Sequence, residues 1–202
     1  MRSVRHRVAS LALVSILLPA SALAHVRGGE AIGLASGLQH PVSGLDHVLA
    51  MVAVGLWGAQ LGAPAIWLLP VTFPMVMAFG GMLGLAGVKL PGIELGIACS
   101  AIALGVAVCL ELRPVPWAAA LLVGMFAVFH GHAHGTELPP GANGLLYSIG
   151  FVVATGTLHA LGIGIGLVHR WPAGRTALRA AGAVVALAGA TFLWRAIAGG
   201  GV

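Results

Sequence analysis

The stretch FHGHAHGTE, Phe129 to Glu137, holds three histidines and a glutamate in a chain of which only 7% is charged. His130, His134 and Glu137 fall at i, i+4 and i+7, so a helix through them would carry two imidazoles and a carboxylate on one face. His132 falls roughly opposite and reads as an outward or supporting group. A second run, QHPVSGLDHVLAM, adds His40, Asp46 and His47, and Glu94 stands near the start of a later apolar segment. Imidazole nitrogens and carboxylate oxygens, without thiolates or a methionine stripe, suit a borderline divalent ion: nickel, cobalt or zinc rather than soft copper(I). Because each imidazole has a second nitrogen to orient, Asp46 and Glu137 could serve either as ligands or as partners that hold a ligand in place.

The elements that must position these groups are apolar. The chain is 59% hydrophobic with 31 glycines and a mean hydropathy of +1.02, which is an integral membrane protein rather than a soluble domain. Apolar runs long enough to cross a core of about 30 Å recur at about 44 to 62, 65 to 87, 93 to 112, 116 to 136, 144 to 168 and 177 to 197, separated by Gly- and Pro-rich breaks. The expected fold is therefore all-α, a compact bundle of six transmembrane helices, its glycine-rich spans allowing close helix approach. Pro41 suits the first turn of a helix, which would put Asp46 one or two turns inside the first span.

Residues 1–24 read as a signal peptide: the cationic MRSVRHR, the apolar VASLALVSILLP, and small residues at Ala22 and Ala24. An uncleaved anchor helix is the alternative, disfavoured by the short apolar stretch. Removal of this segment takes three arginines from the ten basic residues and leaves seven against five acidic, a net charge of +2. The basic pI of about 10.7 thus calls for no nucleic acid. The mature chain, residues 25–202, forms one permease-like domain starting outside the cell membrane. Arg113, Arg170, Arg175 and Arg179 then fall on the cytoplasmic side, in keeping with the positive-inside rule. In this orientation the first span enters and the fourth exits on the outer side, so His40, Asp46, His47, Glu94, His130, His134 and Glu137 share one level.

Ionisable residues in a bilayer are costly enough that each implies a partner, a wet cavity or a role. Glu111 with Arg113 reads as a boundary ion pair. His159 reads first as a hydrogen-bonded core group and second as a stop on an inward path. His25, exposed as a new N-terminus by cleavage after Ala24, could chelate through its amine and imidazole. Cys99 and Cys109 are small core residues with no disulfide framework. No GxxxxGK[ST] loop is present, so this chain has no visible means of using ATP. HExxH and GxSxG are also absent, which removes the usual marks of an intramembrane hydrolase. A haem-binding electron-transfer subunit is the competing class, since membrane histidines also ligate haem. The carboxylates crowding the same level favour a dication.

HPVSGLDHVLAM and FHGHAHGTE, behind a signal peptide and within six spans, resemble the HupE/UreJ family of nickel permeases over essentially the whole chain. The resemblance implies secondary transport of Ni2+, or Co2+, from periplasm to cytoplasm across the bacterial inner membrane, supplying hydrogenase or urease. The ion is the transported substrate and no tightly bound cofactor or enzymatic activity is implied. It also implies metal-related roles for His40, Asp46, His47, His130, His134 and Glu137, and matches Glu94 and Phe73 to polar and aromatic family positions.

Overall fold

A computed structural model describes residues 29–138 and 141–199. The expected signal peptide and His25 lie outside these residues. Seven α-helices follow one another: α1 (Gly29–Ser43), α2 (Leu45–Leu61), α3 (Ala65–Leu85), α4 (Ile93–Cys109), α5 (Pro116–Thr136), α6 (Gly144–Gly166) and α7 (Pro172–Ala198), with a short 3-10 turn, Leu167–Arg170, before the last. No strand occurs among the described residues.

Six of these helices coincide with the six apolar runs, but their capacity to cross a membrane differs. Four, α3, α5, α6 with its 3-10 extension, and α7, are long and apolar enough to do so. A fifth span results if α1 and α2, bent by 81° at a single break, count together. Helix α4 has 17 residues, about 26 Å at 1.5 Å per residue, and falls short of the length of its neighbours.

The unexpected element is α1. Pro41 does not open the first span; it sits in the last turn of a separate helix. Pro41 has no N–H to give the Gly37 carbonyl, so the ladder is weakened just before the helix ends, and Ser43 Oγ donates to the His40 carbonyl at 2.6 Å. The break falls at Gly44, which is extended at φ −100° and ψ 119°. A Cβ on Gly44 would come within 2.8 Å of Asp46 Oδ1 and 3.2 Å of His47 Nδ1. A side chain at Gly44 would push the acid and the imidazole out of their present positions.

Helix α2 is the axis of the molecule, buried at nearly every position from Ala50 to Gln60, and packed against α6, α4, α3 and α7. Burial of large side chains is not what holds the helices together, since lipid is as apolar as leucine; close backbone approach is. A Cβ on Gly55 would strike the His159 carbonyl, one on Gly162 the Val52 carbonyl, and one on Gly105 the backbone of Gly182 and Ala186. Trp67, Val71, Met75, Met82, Trp117, Leu121, Leu187 and Trp194 face outward instead. Large apolar side chains thus cover the outside of the bundle, and a few polar ones, His130, His134, Ser100 and His159 among them, are buried within its apolar core.

Candidate metal centre

The motif FHGHAHGTE splits into two faces of α5. Gly131 and Gly135, four residues apart, lie against α3, where added Cβ atoms would meet the Met77 and Gly81 carbonyls. His130 and His134, also four apart, turn to the adjacent face, both buried. The glycines fix how closely α5 meets α3, and so fix the depth of the imidazoles. Helix α5 ends at Thr136, and Glu137 is its cap at φ −100°. Just past the helix end, its carboxylate is half-exposed and faces His40.

The bend at Gly44 delivers the other half. His40, before the break, places Nε2 3.0 Å from Glu137 Oε2, with its ring edge-on to His134 at 4.7 Å between centroids. Asp46 and His47, after the break, enter from α2. The His47 ring lies 4.7 Å from His130 and 4.5 Å from His134. Four imidazoles from three helices therefore form one continuous contact chain. One donor atom each from His40, His134 and Glu137 lies within 4.8 Å of the other two.

Hydrogen bonding then decides which nitrogens carry lone pairs. Asp46 Oδ1 accepts from both the His47 backbone N–H at 2.9 Å and His47 Nδ1 at 3.0 Å. A carboxylate can only accept, so the His47 proton sits on Nδ1 and its lone pair on Nε2, which is buried without a partner. Ser100 plays the same part for His130. Its one hydroxyl proton goes to the Ile97 carbonyl at 2.6 Å, so His130 Nε2, 2.9 Å away, must donate to it. The lone pair of His130 is left on Nδ1, again without a partner. Both ring nitrogens of His134 are unpartnered as well. Leaving one buried polar group unpaired costs roughly 1–3 kcal/mol, a cost that packing alone gives no reason to incur several times in one place.

Asp46, His47 and Glu137 also line a cavity of about 510 Å³ shared with Glu94 from the start of α4 and Arg195 from the end of α7. Glu94 therefore faces the cluster across open space. No hydrogen bond among the described residues joins it to the others. Three carboxylates against one guanidinium make this mouth attractive to a cation. A second, largely apolar cavity of about 270 Å³ reaches His134 from the side of Tyr147 and Phe151 and offers a hydrated ion little.

Several sequence expectations change. His132 points neither outward nor at the cluster; buried, its Nε2 donates to the Val88 carbonyl at 2.6 Å and ties down the segment after α3. Glu111 pairs not with Arg113 two residues on but with Arg175, at 2.7 Å, across 64 residues. His159 is buried, yet neither ring nitrogen makes a hydrogen bond. The haem alternative finds no support, because the candidate axial rings already touch one another and leave no slot for a macrocycle. Ser100, Gly44 and Arg195 carried no signal in the sequence, since their roles depend on helix register and on one bend.

Compared with known proteins, residues 11–192 match the family described as HupE / UreJ protein. The chain is 50% identical over 182 residues, 90% of its own length and 94% of the relative's, to Protein HupE of Rhizobium leguminosarum bv. viciae. No solved structure matches it.

Proposed function

Because this chain belongs to the HupE / UreJ protein family, a family associated with nickel and cobalt uptake for hydrogenase or urease, we propose that it is a secondary permease. It carries Ni2+, or Co2+, from the periplasm across the bacterial inner membrane to the cytoplasm. The observation that carries the reading is the chain of four imidazoles with lone pairs directed by Asp46 and Ser100, beside a cavity lined with carboxylates. Nitrogen and oxygen donors of this kind fit a borderline dication.

In this reading residues 1–24 are a signal peptide and 25–202 one permease domain with six spans. Helices α1 and α2 together form the first span, and α4 crosses despite its length, its ends reaching water through the cavity at Glu94 and the loop at Glu111. The mature N-terminus is periplasmic. The metal-binding residues are His40, Asp46, His47, Glu94, His130, His134 and Glu137. Glu94 and Glu137 draw the hydrated ion in, and His40, His134 and Glu137 exchange with its first waters. His47 and His130 receive it one step deeper. Ligand histidines bind through a free lone pair, and the Asp46 and Ser100 bonds fix which ring nitrogen of His47 and of His130 presents it. Two positive charges moving inward gain about 4.6 kcal/mol per 100 mV of membrane potential, enough to drive accumulation without a nucleotide.

Labelled nickel uptake by cells producing the wild type or His134→Ala tests the reading. Uptake by the wild type and its loss in the variant at equal abundance is the expected result. Equal uptake by both overturns the site, and no uptake by either overturns the function.

A further inference from the structure

Beneath the outer cluster lies a second set of buried polar atoms. His159, in the middle of α6, is 1% exposed, and both ring nitrogens lack hydrogen bonds. Thr155 stands one turn earlier on the same face. It is fully buried, and its Oγ1 has no partner. Thr136, Thr157, Thr176 and Thr191 spend their hydroxyls on a carbonyl of the preceding turn. Thr155 does not.

A third polar atom comes from α3, which contains both Pro70 and Pro74. Pro74 has no N–H, so the Pro70 carbonyl cannot receive the usual bond from four residues on. That carbonyl is turned toward the His159 ring, with no hydrogen bond of ordinary geometry between them. Phe73, fully buried, links this set to the outer one. Its ring lies 5.4 Å from His130 and 5.5 Å from His159.

We propose that His159, Thr155 and the Pro70 carbonyl form an inner binding station for the transported divalent cation, with Phe73 as the partition between it and the outer cluster. The inference rests on the permease reading above. The station offers one imidazole lone pair and two neutral oxygens, with water completing the shell of a borderline ion. It has no carboxylate. An ion held there is bound more weakly than among Asp46, Glu94 and Glu137, which is what onward movement requires: binding favourable enough to enter and weak enough to leave. The prolines have a matching role, since a helix whose ladder is opened at one carbonyl can present that oxygen to a passing ion.

The test is the concentration dependence of labelled nickel uptake in cells producing matched amounts of the full chain as wild type, His159→Ala, Thr155→Val or Thr155→Ser, with His134→Ala alongside. A residue at the inner station lowers Vmax, by about tenfold or more for His159→Ala, while leaving KM within about twofold because capture outside is intact. Thr155→Val, equal in shape but without the hydroxyl, lowers Vmax in the same sense, and Thr155→Ser restores it. Full Vmax in Thr155→Val or His159→Ala overturns the station even where His134→Ala abolishes uptake and the permease reading stands. If His159→Ala does not accumulate, the Thr155 pair decides alone. A wild type that takes up no nickel overturns the permease reading, and the station falls with it.

Discussion

The two ends of the bundle both carry ionisable side chains, and they treat them in opposite ways. At one end Glu111 is held by two nitrogens of Arg175, at 3.2 and 2.7 Å, and Arg179 Nε donates to the Cys109 carbonyl, capping α4. Charges there are partly exposed and satisfied. At the other end His47, His130 and His134 are buried deeper, yet they keep nitrogens with no partner. Polarity alone would not have separated these ends, since each holds several charged or titratable groups. What separates them is whether the hydrogen-bonding capacity is used up. Satisfied groups close a structure, and directed but unsatisfied lone pairs keep a place for something else.

The strongest way to break that contrast is to release the lone pairs. Asp46→Asn removes the anion that fixes the His47 proton on Nδ1, and partners of this kind typically contribute 10–100-fold in metal affinity. Nickel uptake should fall by about that range through a raised KM, and a variant with wild-type KM would show that Asp46 does not orient the ring. Gly44→Ala comes next. Its Cβ would press on Asp46 Oδ1 and His47 Nδ1, so the same bond is disturbed without losing the charge, and a loss of about tenfold is expected. Ser100→Ala leaves the His130 Nε2 proton without its acceptor and frees the tautomer. An effect below about tenfold is expected, because the ring stays packed against Phe73 and His47. Uptake by the three variants at matched abundance should rank in that order.

Much of this end was legible in the sequence. The spacing of His130 and His134 places both on one face of a helix, and the level shared by the two motifs becomes physical contact between His47 and both of them. The six apolar runs became helices at nearly the same bounds. What the runs could not convey is which side of each helix faces which neighbour, because the spans are apolar all round and are fitted together by glycines whose role emerges only when a second backbone lies against them. Gly131 and Gly135 stand inside the histidine motif, and nothing in its spacing marks them as the contact with α3. The same holds for Ser100, which meets His130 across 30 residues of sequence, and for Glu111, whose partner Arg175 is far more distant than the adjacent Arg113. Pro41 suits a helix start by type, yet with Gly44 just beyond it, it stands in the last turn of α1. The 81° bend there brings His40 and Asp46 to the same cluster from two directions.

The smallest effect is expected at the satisfied end, where it serves as the control for the rest. Glu111→Gln removes the carboxylate that Arg175 holds but touches nothing on the path of an ion, so uptake should equal the wild type's. The hydrogen bonds from Arg175 hold the Glu111 carboxyl below its ordinary range, an effect larger than the opposing one of burial and reinforced by the charges of Arg175, Arg179 and Arg113. A depressed folded-state value means the pair contributes stability that is fully present above the ordinary glutamate pKa of about 4.3 and is lost as pH falls through the lowered value. For a pair this exposed, the difference in thermal midpoint between wild type and Glu111→Gln at neutral pH should be no more than about 2 °C. It should shrink on acidification below about pH 4. A midpoint difference that grows on acidification, or a loss of uptake comparable to that of Asp46→Asn, would show that the two ends are not so different, and that Glu111 belongs to the transport path.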